Sequence, residues 1–231
     1  MKKTFLELKT IIFDLDDTLV LERDYVISGF HAVSSYCQQK YYANEEQVFN
    51  LLWGEFSAGK RGKLFDLLIG ETHGLNASVE ELISVYRDHK PNIRLVEGVE
   101  SLIRLLKKEK KAALISDGYL DTQQKKLEAL GIKQLFDSVM FTDSLGRDNW
   151  KPSPKPFINV LKDLGENPED SVYIADNPQK DFIFPNKSGM KSIRVKYENG
   201  IYSNLKPESI KHAPMLTVTS IAELRNILLD E

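Results

Sequence analysis

Thr10-Ile11-Ile12-Phe13-Asp14-Leu15-Asp16-Asp17-Thr18 is a short apolar run that breaks off into acids. Four apolar or β-branched residues bounded by a polar turn read as a strand buried on both faces, as in a parallel sheet. The pattern recurs downstream: Ala112–Ile115 before Ser116, Val139–Phe141 before Thr142-Asp143, Val172–Ala175 before Asp176, and then Ser192–Val195. Between these runs lie helical patterns that stop at glycine. Leu127 and Leu130 precede Gly131; Val160, Leu161 and Leu164 precede Gly165. Glycine just past the last apolar turn is a helix C-cap. Strands alternating with capped helices predict βαβ units, hence an α/β fold with a doubly wound, mostly parallel sheet. Leu216–Val218 suits an edge strand and Ile221–Leu229 a closing helix.

One stretch breaks the alternation. From Glu22 to about Pro91 there is helical periodicity and no strand candidate. Val26, Ile27, Phe30, Val33 and Cys37 share one helical face; Val48, Leu51, Leu52 and Phe56 a second. Leu64, Leu67 and Leu68 make a third, and Leu82, Ile83 and Tyr86 a fourth. The predicted organisation is an α/β core of residues 1–21 and 92–231 interrupted by a helical subdomain, residues 22–91.

The 231 residues are 42% hydrophobic and 28% charged, the balance of a globular chain with a sizeable core. A net charge of −3 argues against a polynucleotide partner, which calls for a strongly basic surface. The single cysteine, Cys37, excludes a disulfide within one chain, and no paired Cys/His spacing suggests structural zinc. The apolar run behind Lys2-Lys3 is far too short for a signal or a membrane span, so a soluble cytoplasmic protein is expected.

In open α/β sheets, ligands sit beyond the carboxyl ends of the strands, where this chain places Asp14, Ser116, Asp143 and Asp176. Where the chain is still extended, Asp14 and Asp16 project to the same side. Two carboxylates that close cannot both ionise cheaply unless a cation is shared or one keeps its proton. The pairing suits a nucleophile beside an acid/base, although the same residues would also make an Asx-rich turn. Ser116-Asp117-Gly118, at a strand end before a helix, offers a hydroxyl and free N–H groups to a phosphoryl group, or a plain N-cap. In Lys151-Pro152-Ser153-Pro154-Lys155-Pro156-Phe157, alternating prolines should hold the segment extended and fix where Lys151 points. Asp176 and Asp181 add two more acids. Together with Asp14 and Asp16 they form an all-oxygen cluster suited to a hard cation, with magnesium the best fit.

These motifs, in this order, resemble the haloacid dehalogenase superfamily, in the branch with a helical cap inserted after the first motif. Asp-x-Asp-x-Thr is Asp14 to Thr18, the motif serine is Ser116, and the motif lysine is Lys151. The paired acids are Asp176 and Asp181, and the resemblance spans about residues 10–197. Asp17 stands where many members have glycine, and Ala175 stands where glycine is usual before the first acid.

The resemblance implies a magnesium-dependent phosphatase acting on a small phosphorylated metabolite through an aspartyl-phosphate. Asp14 would be the nucleophile and Asp16 the acid/base. Magnesium would lie on Asp14, the backbone carbonyl of Asp16 and Asp176, with Asp181 acting through water or a neighbouring ligand. Ser116 and Lys151 would bind the phosphoryl oxygens, with Thr18, Asp117 and Gly118 completing that set. Relatives that release halide lack an acid two residues after the nucleophile, so Asp16 favours phosphoryl transfer. A phosphomutase would share every one of these residues, and a phosphate-accepting signalling protein without turnover is the remaining alternative. The basic turn Gly59-Lys60-Arg61-Gly62-Lys63 is either a contact for a distal anion or a solvated turn.

Overall fold

A computed structural model describes residues 4–229. The chain forms two compact units: Asp24–Ile93 makes one, and the chain on either side of it makes the other.

The core unit is built on six strands, β1 (Thr10–Phe13), β2 (Lys111–Ser116), β3 (Ser138–Phe141), β4 (Ser171–Ala175), β5 (Lys191–Val195) and β6 (Leu216–Val218). Their order is β3-β2-β1-β4-β5-β6, and every pairing is parallel. The chain winds outward from β1 to β3, then returns to pair β4 on the other side of β1. That reversal opens a crevice at the carboxyl ends of β1 and β4, the place where such sheets bind ligands. Every residue of β1 and β4 is buried, which is why both read as unbroken apolar runs.

The helices are α1 (Glu22–Tyr41), α2 (Glu45–Ser57), α3 (Leu64–Glu71), α4 (Val79–Asp88), α5 (Val99–Leu106), α6 (Leu120–Leu130), α7 (Lys155–Leu164), α8 (Ile183–Ser188) and α9 (Ile221–Leu229). In the core unit, α7 lays Phe157, Val160, Leu161 and Leu164 against Ile12, Ala113, Ile115 and Tyr173 of the sheet. These helix positions recur at 3, 4 and 7 residues, one apolar stripe. The helix stops at Gly165, whose φ of +66° is cheap only without a Cβ. Phe157 meets the Tyr173 ring edge-on at 4.9 Å, and truncating so buried a ring to alanine costs about 3–5 kcal/mol.

The segment before α7 departs from the extended form anticipated from its prolines. Lys151-Pro152 is a cis peptide, and Ser153 N–H donates to Trp150 O at 2.9 Å, closing a tight turn. Pro154 then takes helical angles (φ −71°, ψ −20°) and starts α7. The prolines therefore shape a turn and a helix start, where no N–H is needed.

In the helical unit, Val26, Phe30, Val33 and Cys37 of α1, Val48, Leu52 and Phe56 of α2, Leu68 of α3 and Leu82 of α4 are buried; Ile27, Leu51 and Leu67 are half-buried. Asn44 caps α2, and Ser78 with Glu81 forms a capping box on α4. Among the described residues, no helix is long and apolar enough to cross a membrane.

Candidate active site

The site grows out of the end of β1. Asp14 N–H donates to Ile174 O at 2.9 Å, so the β1/β4 ladder continues one residue past the strand and delivers Asp14 into the crevice. The chain then turns tightly, with Leu19 N–H donating to Leu15 O at 2.9 Å. Asp17 takes a left-handed conformation (φ +49°). Its oxygens accept from Glu22 N–H at 2.9 Å and Ile201 N–H at 2.6 Å. Glycine tolerates that backbone freely, and Asp is among the few others that do so readily. Burial, opposed by those two N–H groups, pushes the Asp17 carboxyl up to about 6.

Lys151 arrives from the turn before α7 with its side chain fully buried. Nζ lies 2.8 Å from Asp14 Oδ1, 2.9 Å from Asp181 Oδ1 and 2.9 Å from the Tyr173 hydroxyl oxygen, which uses all three of its protons. Its backbone N–H donates to Asp117 Oδ1 at 3.1 Å. The same carboxylate accepts from Thr142 Oγ1 at 2.7 Å and Lys180 Nζ at 2.8 Å. The Asp117 side chain is thereby committed to holding Lys151 and Lys180 in place.

Asp14, Asp176 and Asp181 each offer an oxygen within 4.8 Å of the others. Asp181 Oδ2 accepts from Asn177 N–H at 2.9 Å. Asp176 Oδ2 is buried without a partner. Burial, partly offset by Lys151 and reinforced by Asp181, pushes the Asp14 carboxyl up to about 7. Burial and the charges of Asp181 and Asp14 hold Asp176 well above the usual carboxylate range. Although burial alone would lower it, Lys151 is held well above an ordinary lysine by Asp14 and Asp181. Lys151 thus pairs with two of three buried carboxylates, Lys180 is the lysine that acts on the third, and one oxygen of that third points at nothing. A hard divalent cation bound through oxygen fits that inventory, since it removes both the charge excess and the orphaned acceptor.

Asp16 does not join that trio. Its half-buried carboxylate accepts from Lys126 Nζ at 2.7 Å and Gln123 Nε2 at 3.1 Å, both on α6. Burial would raise its pKa, but Lys126 and hydrogen bonds from Glu22, Lys126 and Gln123 hold it below the usual range. Burial and the Asp16 charge push Glu22 up to about 8. Ser116 Oγ donates to Gln123 Oε1 at 2.9 Å, so Ser116 and Asp16 meet on one amide. Thr18 Oγ1 is buried without a partner, and Gly118 takes φ +131°.

Of the acids at the strand ends, Asp143 does not join the trio: it accepts from Leu120 N–H at 3.0 Å and Trp150 Nε1 at 3.1 Å, serving the start of α6. Sequence reasoning passed over Tyr173, Lys180, Gln123, Lys126 and Glu22. Tyrosine inside an otherwise aliphatic buried strand, and polar residues on the inner face of α6, were the available signals. In the helical unit, Lys60 pairs with Glu55. The Arg61 guanidinium lies 4.0 Å from the Phe56 ring centroid and donates to Phe56 O at 2.6 Å. Lys63 lines, with Arg61 and Arg87, a cavity of about 260 Å³ floored by Phe30, Phe56 and Tyr86.

A parallel sheet wound in this order, with acids and a buried lysine at its switch point, defines the Rossmann-like α/β class with its site beyond the strand ends. The chain belongs to the haloacid dehalogenase-like hydrolase family, which it matches over residues 11–195. It is 24% identical to a glyceraldehyde 3-phosphate phosphatase of Methanopyrus kandleri, over 96% of this chain and 97% of that one. It is 28% identical to the pyrophosphatase PpaX of Halalkalibacterium halodurans, over 83% and 85%. Among solved structures, YfnB of Bacillus subtilis bound to magnesium superposes with a TM-score of 0.69 at 20% identity, covering 96% of this chain and 99% of that one.

Proposed function

We propose that this chain is a magnesium-dependent phosphatase that hydrolyses a small phosphomonoester through an aspartyl-phosphate on Asp14. The observation that carries the reading is the buried trio Asp14, Asp176 and Asp181 around Lys151, with one Asp176 oxygen unpartnered. Lys151 Nζ takes one oxygen of Asp14, and the other attacks phosphorus. The new O–P bond forms as the bond to the substrate alcohol breaks, and Asp16, which must enter this step protonated, gives the leaving oxygen its proton. A water then attacks the aspartyl-phosphate, Asp16 takes the water's proton, and Asp14 is regenerated with release of phosphate. General acid/base help of this kind is worth roughly 10²–10⁴-fold.

Asp14, Asp176 and the backbone carbonyl of Asp16 would hold magnesium, with Asp181, whose oxygens already accept from Lys151 and Asn177, acting through water. Bound there, the ion supplies positive charge to the phosphoryl oxygens. Ser116, Thr18, the N–H groups of Asp117 and Gly118, and Lys151 bind those oxygens, Ser116 and Lys151 turning to them the protons they otherwise give Gln123 and Tyr173. Residues 22–91 act as the cap that selects the alcohol, and the remaining residues as the catalytic core. Glyceraldehyde 3-phosphate and pyrophosphate, after which two relatives are named, go first in the panel of compounds to be tried. A single, buried, unpaired cysteine suits a reducing cytoplasm.

The test is phosphate release from a panel of phosphorylated metabolites with magnesium, with EDTA, and with Asp14→Asn. Release that needs magnesium and disappears in the variant is the expected result. A stable aspartyl-phosphate without release would overturn the reading in favour of a signalling protein, and a bisphosphate-dependent isomerisation in favour of a mutase.

A further inference from the structure

Helix α6 carries an anomaly. Its buried residues are Gln123, Lys126 and Leu127, the inner face of an amphipathic helix, and two of the three are polar. Lysine is almost never fully buried unless paired, and the Lys126 side chain is only 1% exposed. A leucine or methionine there would bury apolar surface without desolvating a charge, so stability alone does not account for the choice. Both polar side chains end on one group. Lys126 Nζ lies 2.7 Å from Asp16 Oδ1 and Gln123 Nε2 lies 3.1 Å from Asp16 Oδ2, so α6 sends a donor to each oxygen, beside the hydrogen bond from Glu22.

The orientation of each donor is itself determined. Gln123 Oε1 accepts from Ser116 Oγ at 2.9 Å, which turns the amide so that its NH₂ faces Asp16. Lys126 Nζ is also 2.7 Å from Glu22 Oε2, so its ammonium sits between the Asp16 carboxylate and the Glu22 carboxyl. We infer that Gln123 and Lys126 are positioning residues that clamp the Asp16 carboxylate from α6 and tie it to Ser116. The inference rests on the reading of Asp16 as the group that moves the proton. It assigns α6 a share in the reaction although neither residue belongs to any of the motifs. A carboxylate free to rotate would have to find its proton-transfer geometry at each turnover; one held at both oxygens is already oriented.

The test compares phenyl phosphate with 4-nitrophenyl phosphate, alike in shape but unlike in the basicity of the leaving oxygen. Nitrophenolate departs without a proton, whereas phenolate benefits from an acid. For Lys126→Met, the single-turnover rate with phenyl phosphate should fall about tenfold or more, while the nitrophenolate burst stays within about threefold of wild type. Gln123→Met should shift both rates in the same directions by less, and Lys126→Arg should recover most of the phenyl phosphate rate. Equal losses on both substrates, or no loss on either, would overturn the inference in favour of a structural role. Should Lys126→Met fail to fold, Gln123→Met and Lys126→Arg still give the comparison. Asp16→Asn is the control. If it also lowers both rates equally, the reading of Asp16 has failed; if it discriminates and Lys126→Met does not, only the clamp has.

Discussion

Two clusters in this protein are made from the same parts, carboxylates with a lysine and tyrosine, and behave oppositely. In the helical unit Glu81 accepts from Lys40 Nζ at 2.6 Å, from the Tyr41 hydroxyl at 2.9 Å and from the Tyr36 hydroxyl. Those hydrogen bonds, Lys40's first, pull its carboxyl down to about 2. In the core unit Lys151 and Tyr173 stand among Asp14, Asp176 and Asp181, yet burial drives Asp14 up to about 7 and leaves Asp176 Oδ2 without a partner. Glu81 is one carboxylate with four donors, the Ser78 N–H of the capping box among them, next to water. The trio is three carboxylates away from water, two of them paired with Lys151 and the third with no ion pair of its own, Lys180 acting from the side. The first cluster is saturated by its own chain, and the second lacks positive charge. Residue types alone therefore do not mark a site; an unbalanced, buried inventory does.

The contrast is most exposed to failure at Lys151. Lys151→Met leaves buried carboxylates without their ammonium and should cost about 3–5 kcal/mol in urea unfolding with EDTA present. It should also lower turnover by on the order of 10²–10³-fold. A cost under about 1 kcal/mol would mean that the trio is already balanced and would break the comparison. Asp176→Asn should act in the other direction on stability. Without metal it removes a buried like charge and raises Tm by about 3 °C, and it abolishes the rise in Tm that magnesium gives the wild type. Scanning calorimetry with magnesium and with EDTA reads both effects, and a destabilised metal-free variant would contradict the charge argument.

Tyr173→Phe removes a hydroxyl that accepts from Lys151 at 2.9 Å and approaches Asp181 at 3.5 Å. The loss should be about 1 kcal/mol by denaturant titration, with the fold intact. Glu81→Gln should do least, lowering Tm at neutral pH by about 2 °C. Its pH dependence has a definite sign. A carboxyl depressed in the folded state stabilises above its unfolded pKa, and that contribution is lost as pH falls from about 4.5 towards about 2. Melting curves across that window should be flatter for Glu81→Gln than for wild type; parallel curves would show that the Glu81 cluster carries no linkage.

Much of the architecture was legible because it is local. Thr10–Phe13 and Val172–Ala175 read as buried strands from their own residues, and Gly131 and Gly165 marked where α6 and α7 stop. The acids at the strand ends were legible as a group, but their division was not. Asp143 ends a strand as Asp14 and Asp176 follow theirs, yet it serves Leu120 and Trp150. The proline run around Lys151 was misread because alternating prolines are compatible with an extended segment or with a turn, and the hydrogen bond from Ser153 to Trp150 selects the turn. Lys126 carries no local mark, being one of two adjacent lysines on α6, and only its burial against Asp16 sets it apart.

By itself the sequence determined the alternation of strands and helices and the order of the acidic motifs, because periodicity and turn chemistry act over a few residues. Only the tertiary structure decided which charges meet. Lys151 reaches Asp14 across 137 positions and Lys126 reaches Asp16 across 110, both through the winding that sets β1 at the centre of the sheet. Burial, partner count and hence charge balance are properties of that meeting. No single segment carries them, and they are what make the top of this sheet reactive and leave the Glu81 cluster inert.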